Sequence, residues 1–447
     1  MAPTQFASRI GRGLELLRER GWSSLLRIAG RKLFQQGLWS RYSDEAMVLA
    51  SLFDFSSAHL EASQAVQSRF PGPMDIRSIT WFLPDFYNPF YGGMHTILRF
   101  AAYLQANHGV CNHFVVVGTM TEKQIADLIA RSFPVLSTAS VHQINRYGQI
   151  DGLPESDAAV ATLWSTAYYA LRYNSTKRKF YFLQDYEPIF YPAGSICAQV
   201  QSTYRFGFYG IANTSSVKEA YEQSGGIGQF FLPAVDTGIF HPAEGDGRKS
   251  GEPYTVFFYG RPEHPRNGFE LGAAAMRRLK ARMEDRVRIV AAGAAWHPSE
   301  FGLKAVLENR GMLSYQQTAE LYCHCHAGLA MMFTRHPSYL PFELMASGCL
   351  VVSNHNPATT WFLKDRENCI LSGTSASQLA ETLERALLDE KDRTRITANA
   401  LDQVQKHYSR WEDQIERMYE YMRDPQSHCG QERGVGIPQT LGGERIG

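Results

Sequence analysis

The segment with the clearest chemical potential is HPSYLPFELMASGCLVVSN, which runs from residue 336 to residue 354. It predicts a loop, a helix that begins near Leu340 and ends before Gly348, and a buried strand at residues 350–353. Glu343 lies in the first turn of that helix, where its carboxylate can accept hydrogen bonds from the two hydroxyls of a vicinal diol such as a ribose. The helix start attracts an anion, because its first N–H groups lack partners. Phosphate plus diol indicates a nucleotide, and the simpler alternative is a glutamate that only favours the helix dipole.

Two further strand-to-helix loops carry groups suited to a phosphate. Gly92 and Gly93 follow the first predicted strand, and a glycine pair lets backbone N–H groups approach a ligand closely. Arg261 and Arg266 follow the strand that opens the second half of the chain, and two guanidiniums suit a diphosphate. The alternatives are a loop that needs glycine for a positive φ and arginines that only face solvent.

These loops belong to a regular alternation of short β-rich runs and helical runs that begins near residue 76. The pattern predicts parallel sheets covered by helices on both faces. We therefore predict an α/β protein with two doubly wound, Rossmann-like domains that face a central cleft. The predicted strands are residues 79–83, 113–117, 158–162, 180–184, 207–212, 254–259, 287–292, 327–332 and 350–353; the predicted helices are residues 94–107, 122–131, 215–223, 269–281, 315–323 and further helices within 375–406.

Composition changes mark the domain boundaries. Residues 231–253 lose periodicity and gain glycine, proline and charge, which indicates a linker. The tail is glycine-rich and polar, which predicts disorder. The predicted units are a helical N-terminal extension at 1–70, a first Rossmann-like domain at 71–240, a second at 250–406, a helix at 407–424 that packs back across the cleft, and the tail at 425–447.

The overall composition narrows the class of protein. Among the 447 residues, 44% are hydrophobic and 20% are charged, as in soluble globular proteins, and a net charge of +1 gives no reason to expect nucleic-acid binding. We find no secretory signal and no apolar run long enough to span a bilayer, so we predict a cytoplasmic protein. The run Cys-His-Cys-His at 323–326 lacks a second metal half-site, so buried and capping roles are expected rather than zinc.

Charge is uneven near the N-terminus. Residues 5–42 carry eight basic side chains against Glu15 and Glu19, and apolar residues recur there at near-helical spacing. One interpretation is a basic amphipathic helix pair in peripheral contact with an anionic inner membrane. The other is a helical extension that packs on the first domain and leaves its arginines in solvent.

Joined in order, these pieces resemble the GT-B nucleotide-sugar glycosyltransferases, in particular the retaining family-4 enzymes. Within them the chain is similar to the rhamnosyltransferases that build bacterial surface polysaccharides. The resemblance covers roughly residues 76–421. It rests on the glycine pair, FLPAVDTGIFHP, YGRPEHPRNGFEL, Gly293 with GMLSYQQTAELY, and ELMASGCLVVSN. The most particular match to the rhamnosyltransferase group is KFYFLQDYEPIFYP at 179–192.

The resemblance implies a metal-independent transfer of a sugar to a glycan or lipid-linked glycan acceptor, without a cofactor. It implies that the first domain binds the acceptor and that the second binds a nucleotide sugar such as dTDP-rhamnose. One departure is Arg335, which stands where the family usually has a first glutamate that contacts the donor sugar. Alternatives with the same fold are a nucleotide-sugar 2-epimerase and a non-catalytic binding subunit. The implied nucleotide and diphosphate residues are Gly92, Gly93, Arg261, Arg266, Gly293, Leu313, Ser338, Tyr339, Leu340 and Glu343.

An acceptor hydroxyl must lose a proton during transfer, so a carboxylate or imidazole of the first domain should face the cleft. Asp185 and Glu187 follow the strand predicted to end at Gln184, and His95 follows the glycine pair. These three are the predicted catalytic candidates. Their structural alternatives are a turn cap, an ion pair with an arginine and a helix cap, respectively.

Overall fold

A computed structural model describes residues 46–90, 92–243 and 253–427. The Arg-rich segment, residues 244–252 in the second half of the predicted linker and most of the predicted tail lie outside the described residues. The described chain forms two parallel sheets with helices on both faces, one in each half. The predicted fold class is therefore confirmed at the level of its sheets.

The first sheet has seven parallel strands in the order β3-β2-β1-β4-β5-β6-β7. Its central strand β1 is buried along SITWFLP, because helices cover both faces and only apolar side chains suit such a strand. The strands are β1 (Ser78–Pro84), β2 (Cys111–Val117), β3 (Ser140–Ile144), β4 (Ser156–Ala161), β5 (Thr176–Leu183), β6 (Tyr209–Asn213) and β7 (Ile227–Phe231). The helices are α1 (Ser57–Ser68), α2 (Gly92–His108), α3 (Glu122–Ser132), α4 (Trp164–Arg172), α5 (Ser195–Thr203) and α6 (Ser215–Gln223).

The second sheet has six parallel strands in the order β10-β9-β8-β11-β12-β13. Helices again pack on both faces. The strands are β8 (Tyr254–Tyr259), β9 (Val287–Ala292), β10 (Glu308–Asn309), β11 (Ala327–Leu329), β12 (Leu350–Asn354) and β13 (Ile370–Ser372). The helices are α7 (Phe269–Met283), α8 (Tyr315–Cys323), α9 (Leu340–Ala346), α10 (Ala376–Leu388), α11 (Glu390–His407) and α12 (Trp411–Arg423).

Local capping explains where some of these helices begin. Ser314 accepts a hydrogen bond from the N–H of Gln317 at 3.2 Å, and the Gln317 side chain accepts one from the N–H of Ser314 at 2.9 Å. Thr121 and Gln124 form the same reciprocal pair at the start of α3. Such capping boxes satisfy N–H groups that the first helical turn leaves without partners.

The last helix, α12, returns to the first domain. Its apolar face, which includes Ile415 and Met418, packs into the same core cluster as Trp81 of β1. The Tyr419 hydroxyl donates to the Ile76 carbonyl at 3.1 Å. The helix begins at Trp411 rather than at the predicted residue 407, because residues up to 407 continue α11. The chain therefore crosses between the two domains a second time after the linker.

Candidate active site

The carboxyl ends of the two sheets face each other across a cleft. Tyr339, just before α9, brings its hydroxyl to 2.8 Å from Thr96 Oγ1 on α2 and to 2.8 Å from Asn213 Nδ2 at the end of β6. The Ser216 hydroxyl donates to the Ala358 carbonyl at 2.7 Å from the other side. These contacts place the predicted loops of both domains around one space.

Glu343 lies in the first turn of α9, as predicted, and its side chain lines this space. The helix ends with Gly348 at φ +66°, the left-handed conformation expected from the sequence. Burial raises the pKa of Glu343 to about 7, since a carboxylate there loses contact with water. A half-buried carboxyl with this environment can accept hydrogen bonds from ligand hydroxyls.

The loop before α9 has a strained turn at Ser338, whose φ is +68° although it is not glycine. Its N–H donates to His336 Nδ1 at 2.9 Å, which holds the turn closed. His336 is buried, and its desolvation together with the nearby Arg266 lowers its pKa to about 3. The structure thus places Ser338, Tyr339 and Leu340 at the cleft, on the second domain.

The glycine pair begins α2 on the opposite wall. Gly92 has φ +53° and lines the same space as Glu343. Gly93 lies against Gln184, because an added Cβ would come within 3.2 Å of that side chain. Gln184 Nε2 also donates to the Gly93 carbonyl at 3.0 Å. Gly92 therefore supplies a positive φ, as the structural alternative expected, and has open space beside it, while Gly93 meets a packing need.

The two arginines of the second domain occupy different places. The Arg261 side chain packs over Gly293, which has φ +117° at the end of β9, and one of its terminal nitrogens donates to the Tyr259 hydroxyl at 3.2 Å. Its Nε is buried without a hydrogen-bond partner among the described residues. Arg266 instead places its guanidinium 5.0 Å from the centre of the Phe190 ring in the first domain. Leu313 is half-buried beside the core of the second domain.

Asp185 is buried at the boundary between the domains, with 7% of its surface exposed. Its carboxylate accepts hydrogen bonds from Thr334 Oγ1 at 2.6 Å and from the His336 N–H at 3.3 Å. It also accepts one from the N–H of Tyr186 at 2.7 Å. Burial raises the pKa of Asp185, and these donors oppose that change. Arg335 lies beside it, with its guanidinium 5.7 Å from the centre of the Tyr186 ring.

Glu187 points away from the cleft into the first domain and is 2% exposed. Its Oε2 accepts hydrogen bonds from the N–H of Trp164 at 2.7 Å and from the Tyr181 hydroxyl at 3.2 Å. Burial raises the pKa of Glu187 to about 8. In this position the carboxyl group caps the start of α4. Among the described residues it forms no ion pair with an arginine, which was its structural alternative.

His95 faces the space between the domains. Its ring stacks on Phe133 with centroids 4.9 Å apart and lies 5.3 Å from the Tyr315 ring. The space has a volume of about 330 Å³, including the part open to solvent. Its polar and charged lining includes His95, Thr96, Arg99, Asp236, Tyr315, Tyr339 and Glu343, with Trp411 as the aromatic wall. We call this space the cleft cavity.

The cleft cavity contains residues that sequence reasoning missed. Arg99 lies four residues after His95 on one face of α2, so helical spacing could have indicated it. Asp236 lies in the run FLPAVDTGIFHP, which contributed only to the resemblance and not to the predicted site residues. Trp411 comes from a distant segment, and no local pattern marks it.

The side chains of the Cys-His-Cys-His run make hydrogen bonds within the second domain. His326 Nδ1 accepts a hydrogen bond from the Thr255 N–H at 3.0 Å, and the Cys325 thiol donates to the Leu321 carbonyl at 3.1 Å. Within residues 46–90, 92–243 and 253–427, no three His, Cys, Asp or Glu side chains are grouped as metal ligands would be. In the same ranges no helix is both long and apolar enough to cross a membrane.

Comparison with known proteins identifies relatives of this chain. Residues 254–384 match the family described as WsaF, C-terminal domain. The chain is 39% identical over 387 residues to the O-antigen biosynthesis protein RfbC of Myxococcus xanthus, and the match covers 83% of this chain and 30% of that protein. The chain thus spans about a third of the length of its curated relative.

Two solved structures have the same architecture. Anabaena Alr3699/HepE in complex with UDP and glucose superposes with a TM-score of 0.60 at 14% identity, over 79% of this chain and 100% of that one. Sucrose-phosphate synthase from Thermosynechococcus elongatus gives 0.59 at 14% identity, over 78% and 98%. These likenesses confirm the GT-B fold, and the curated relative confirms the predicted resemblance to proteins of bacterial surface-polysaccharide synthesis.

Proposed function

We propose that the chain is a glycosyltransferase that moves a sugar from a nucleotide-sugar donor to a glycan or lipid-linked glycan during surface-polysaccharide synthesis. The observation that carries this proposal is the cleft cavity, where Glu343 of one domain faces Gly92 and His95 of the other. A carboxyl group opposite an open glycine backbone suits a nucleotide diphosphate. The relative named for O-antigen biosynthesis and the neighbour that holds UDP and glucose support the same reaction class.

On the donor side, Glu343 accepts hydrogen bonds from the ribose hydroxyls, and the backbone from Ser338 to Leu340 lies near the phosphates. Arg261 and Arg266 bind the diphosphate and offset the charge of the leaving group, so the reaction needs no metal. Gly293 and Leu313 border the base. The support for Arg261 is its buried Nε, which has no partner among the described residues and still has a hydrogen bond to donate.

On the acceptor side, His95 is the candidate base with the best placement, because it lines the cleft cavity. Asp185 is the second candidate, and it becomes accessible only when the contact with Thr334 opens. Glu187 supports the site indirectly, since it anchors the start of α4. Transfer with retention, as in the enzymes that the sequence resembles, places the donor phosphate beside the acceptor hydroxyl as a further proton acceptor.

The test of the function is a thermal-shift panel of UDP, GDP, ADP and dTDP, followed by transfer. A nucleotide that binds the folded state raises the melting temperature by mass action. We expect dTDP to give the largest shift and dTDP-rhamnose to donate to a lipid-linked glycan. Binding of none of the four nucleotides would contradict the proposal, and a larger shift with UDP would change the donor.

A peripheral contact with the inner membrane is part of this proposal. The described chain begins just after the Arg-rich segment with helical residues whose apolar side chains face solvent: Met47 is 70% exposed, Val48 57% and Leu52 49%. Basic residues next to an exposed apolar face suit an anionic surface. Flotation with anionic liposomes should fall in high salt and after deletion of residues 1–45. Equal flotation of the truncated chain would contradict it.

A further inference from the structure

Arg99 is a cationic side chain of the cleft cavity to which the proposed function gives no task. Its guanidinium lies 5.2 Å from the centre of the Trp411 ring, and a terminal nitrogen lies 3.2 Å from His95 Nε2. Its Nε is buried and has no hydrogen-bond partner among the residues that the structure describes. Arg99 therefore touches a candidate base and still has a hydrogen bond to donate.

The contact with Arg99 determines which nitrogen of His95 carries the proton. A guanidinium only donates hydrogen bonds, so Nε2 must accept. A neutral imidazole then carries its proton on Nδ1, which donates to the Pro89 carbonyl at 3.2 Å. A proton on Nε2 would face another donor, and burial together with Arg99 lowers the pKa of His95 to about 4. His95 is thus a neutral ring whose basic lone pair is already occupied.

We infer that Arg99 is a positioning residue that holds His95 in the Nδ1–H form. When an anionic oxygen of a bound nucleoside diphosphate accepts the hydrogen bond of the Arg99 guanidinium instead, the Nε2 lone pair of His95 becomes free. The part about the diphosphate rests on the proposed function, whereas the part about the proton does not. A phosphate oxygen is a stronger partner for a guanidinium than a neutral imidazole, because that hydrogen bond joins opposite charges. Donor binding would then prepare the base for the acceptor.

Several other groups face His95 and can alter its titration. These groups belong to different elements and differ in charge. A shift in the pH optimum of activity would therefore not show that Arg99 is the group that acts on His95. The tautomer of His95 is a more direct measure, because it depends on the two contacts of the ring nitrogens, the Arg99 donor at Nε2 and the Pro89 carbonyl at Nδ1, and Arg99→Met removes only the first. The titratable and charged groups around the ring are Arg99 from its own helix, Tyr315 from α8, Tyr339 and Glu343 at α9, and Asp236 from the segment after β7.

The tautomer is measured on the full chain with ¹⁵N-labelled histidine, since two-bond ¹H–¹⁵N correlations show which ring nitrogen carries the proton. His95→Gln assigns the signal. In the parent we expect the Nδ1–H form to persist well below the ordinary histidine pKa near 6.5. Arg99→Met keeps the contact with Trp411 but removes every donor, so we expect mixed tautomers. The titration midpoint should rise above that of the parent and stay below 6.5, because burial, the larger cause of the lowered pKa, remains.

Two variants serve as controls. Arg99→Lys keeps a cationic donor and should restore the Nδ1–H form. Arg131→Met removes an exposed arginine of α3 whose Nε donates to the Asp127 carbonyl, and it should leave the His95 signal unchanged. If Arg99→Met kept the tautomer and the midpoint of the parent, Arg99 would not position His95 and the inference would be wrong.

Inorganic pyrophosphate and then UDP test the exchange of partners. Saturating pyrophosphate should move the His95 Nε2 resonance to that of a free acceptor in the parent, and Arg99→Met should bind pyrophosphate about tenfold more weakly. An unchanged His95 spectrum in the parent, or equal affinity in both proteins, would overturn the exchange. Failure of the proposed function looks different: no nucleotide binds and no sugar is transferred, yet the ligand-free tautomers of parent and Arg99→Met still differ.

Discussion

Replacing Glu343 by glutamine should stabilise the fold and weaken nucleotide binding. The carboxyl group lies half-buried in the cleft cavity, and burial raises its pKa from 4.5 to about 7. The amide of glutamine has nearly the same size and cannot ionise. It therefore removes the cost of a buried charge and also removes the charged acceptor for a ribose hydroxyl.

The sign of the stability effect follows from linkage. A carboxyl group with a raised pKa binds its proton more tightly in the folded state than in the unfolded state. Its contribution to stability is therefore most favourable below about pH 4.5 and is lost as the pH rises through about 7. A change from 4.5 to about 7 corresponds to about 3 kcal/mol at pH 8, and the remaining contact with solvent reduces the expected effect to about 1–3 kcal/mol.

The assay compares melting temperatures of the parent and Glu343→Gln at pH 5 and pH 8 without nucleotide. At pH 8 we expect the variant to melt several degrees higher, since about 1 kcal/mol moves the melting temperature of a domain of this size by about 2–4 °C. At pH 5 the gap should nearly close. Glu381→Gln, which replaces an exposed glutamate of α10, is the matched control and should show no gap at either pH.

Nucleotide affinity decides whether this carboxyl group serves a ligand. Loss of a charged hydrogen bond to a ribose costs about 1.5–3 kcal/mol, so the variant should bind its preferred nucleotide about tenfold or more weakly at pH 8. The reasoning would be refuted by a variant that binds like the parent. It would also be refuted by a variant that shows no pH-dependent gain in stability, because Glu343 would then not be a desolvated carboxylate.

Two other substitutions separate ligand contacts from structural ones. Arg261→Ala and Arg266→Ala should each weaken binding of the preferred nucleoside diphosphate about tenfold and leave binding of the nucleoside little changed. Calorimetry measures both affinities. An equal loss of affinity for the two ligands would contradict a contact with the diphosphate. Glu187→Gln should keep sugar transfer within about twofold of the parent, because the amide oxygen can still accept from the Trp164 N–H and the carboxyl group is already neutral below a pKa of about 8. A large loss of transfer with unchanged donor affinity would return Glu187 to the catalytic candidates.

The strands that sequence reasoning located share a physical property. Central parallel strands such as β1, β8 and β12 are buried on both faces, so they appear as short apolar runs. The strands that the sequence did not predict lie toward or at the sheet edges, where strands are less completely buried. Ser140–Ile144 at one edge is polar and only half-buried, and Ile370–Ser372 at another has three residues. Their pairing depends on the sheet beside them.

The positions of some site residues follow from the local sequence, and the positions of others depend on distant contacts. Glu343 and Gly348 were predictable, because a first-turn carboxylate and a left-handed cap are properties of one helix. The contact between Asp185 and Thr334 joins residues 149 positions apart, and no local pattern encodes it. The direction of the Glu187 side chain depends on the placement of Trp164 on another element, so sequence proximity to the strand end did not indicate that it turns inward.

The contact between Asp185 and Thr334 places a condition on ligand entry. A donor that separates the domains removes the Thr334 hydroxyl and the His336 N–H from the carboxylate, and a buried carboxylate without donors is costly. Water or sugar hydroxyls must replace those donors, so the unliganded cleft is held partly closed.

Thr334→Val should therefore open the unliganded protein, because valine has the shape of threonine without its donor. Small-angle scattering should show a larger radius of gyration than in the parent. Thr382→Val is the matched control, since it removes a buried threonine hydroxyl that bonds to Ser372 inside the second domain. If Thr334→Val and Asp185→Asn both kept the radius of gyration of the parent, this carboxylate would not hold the domains together.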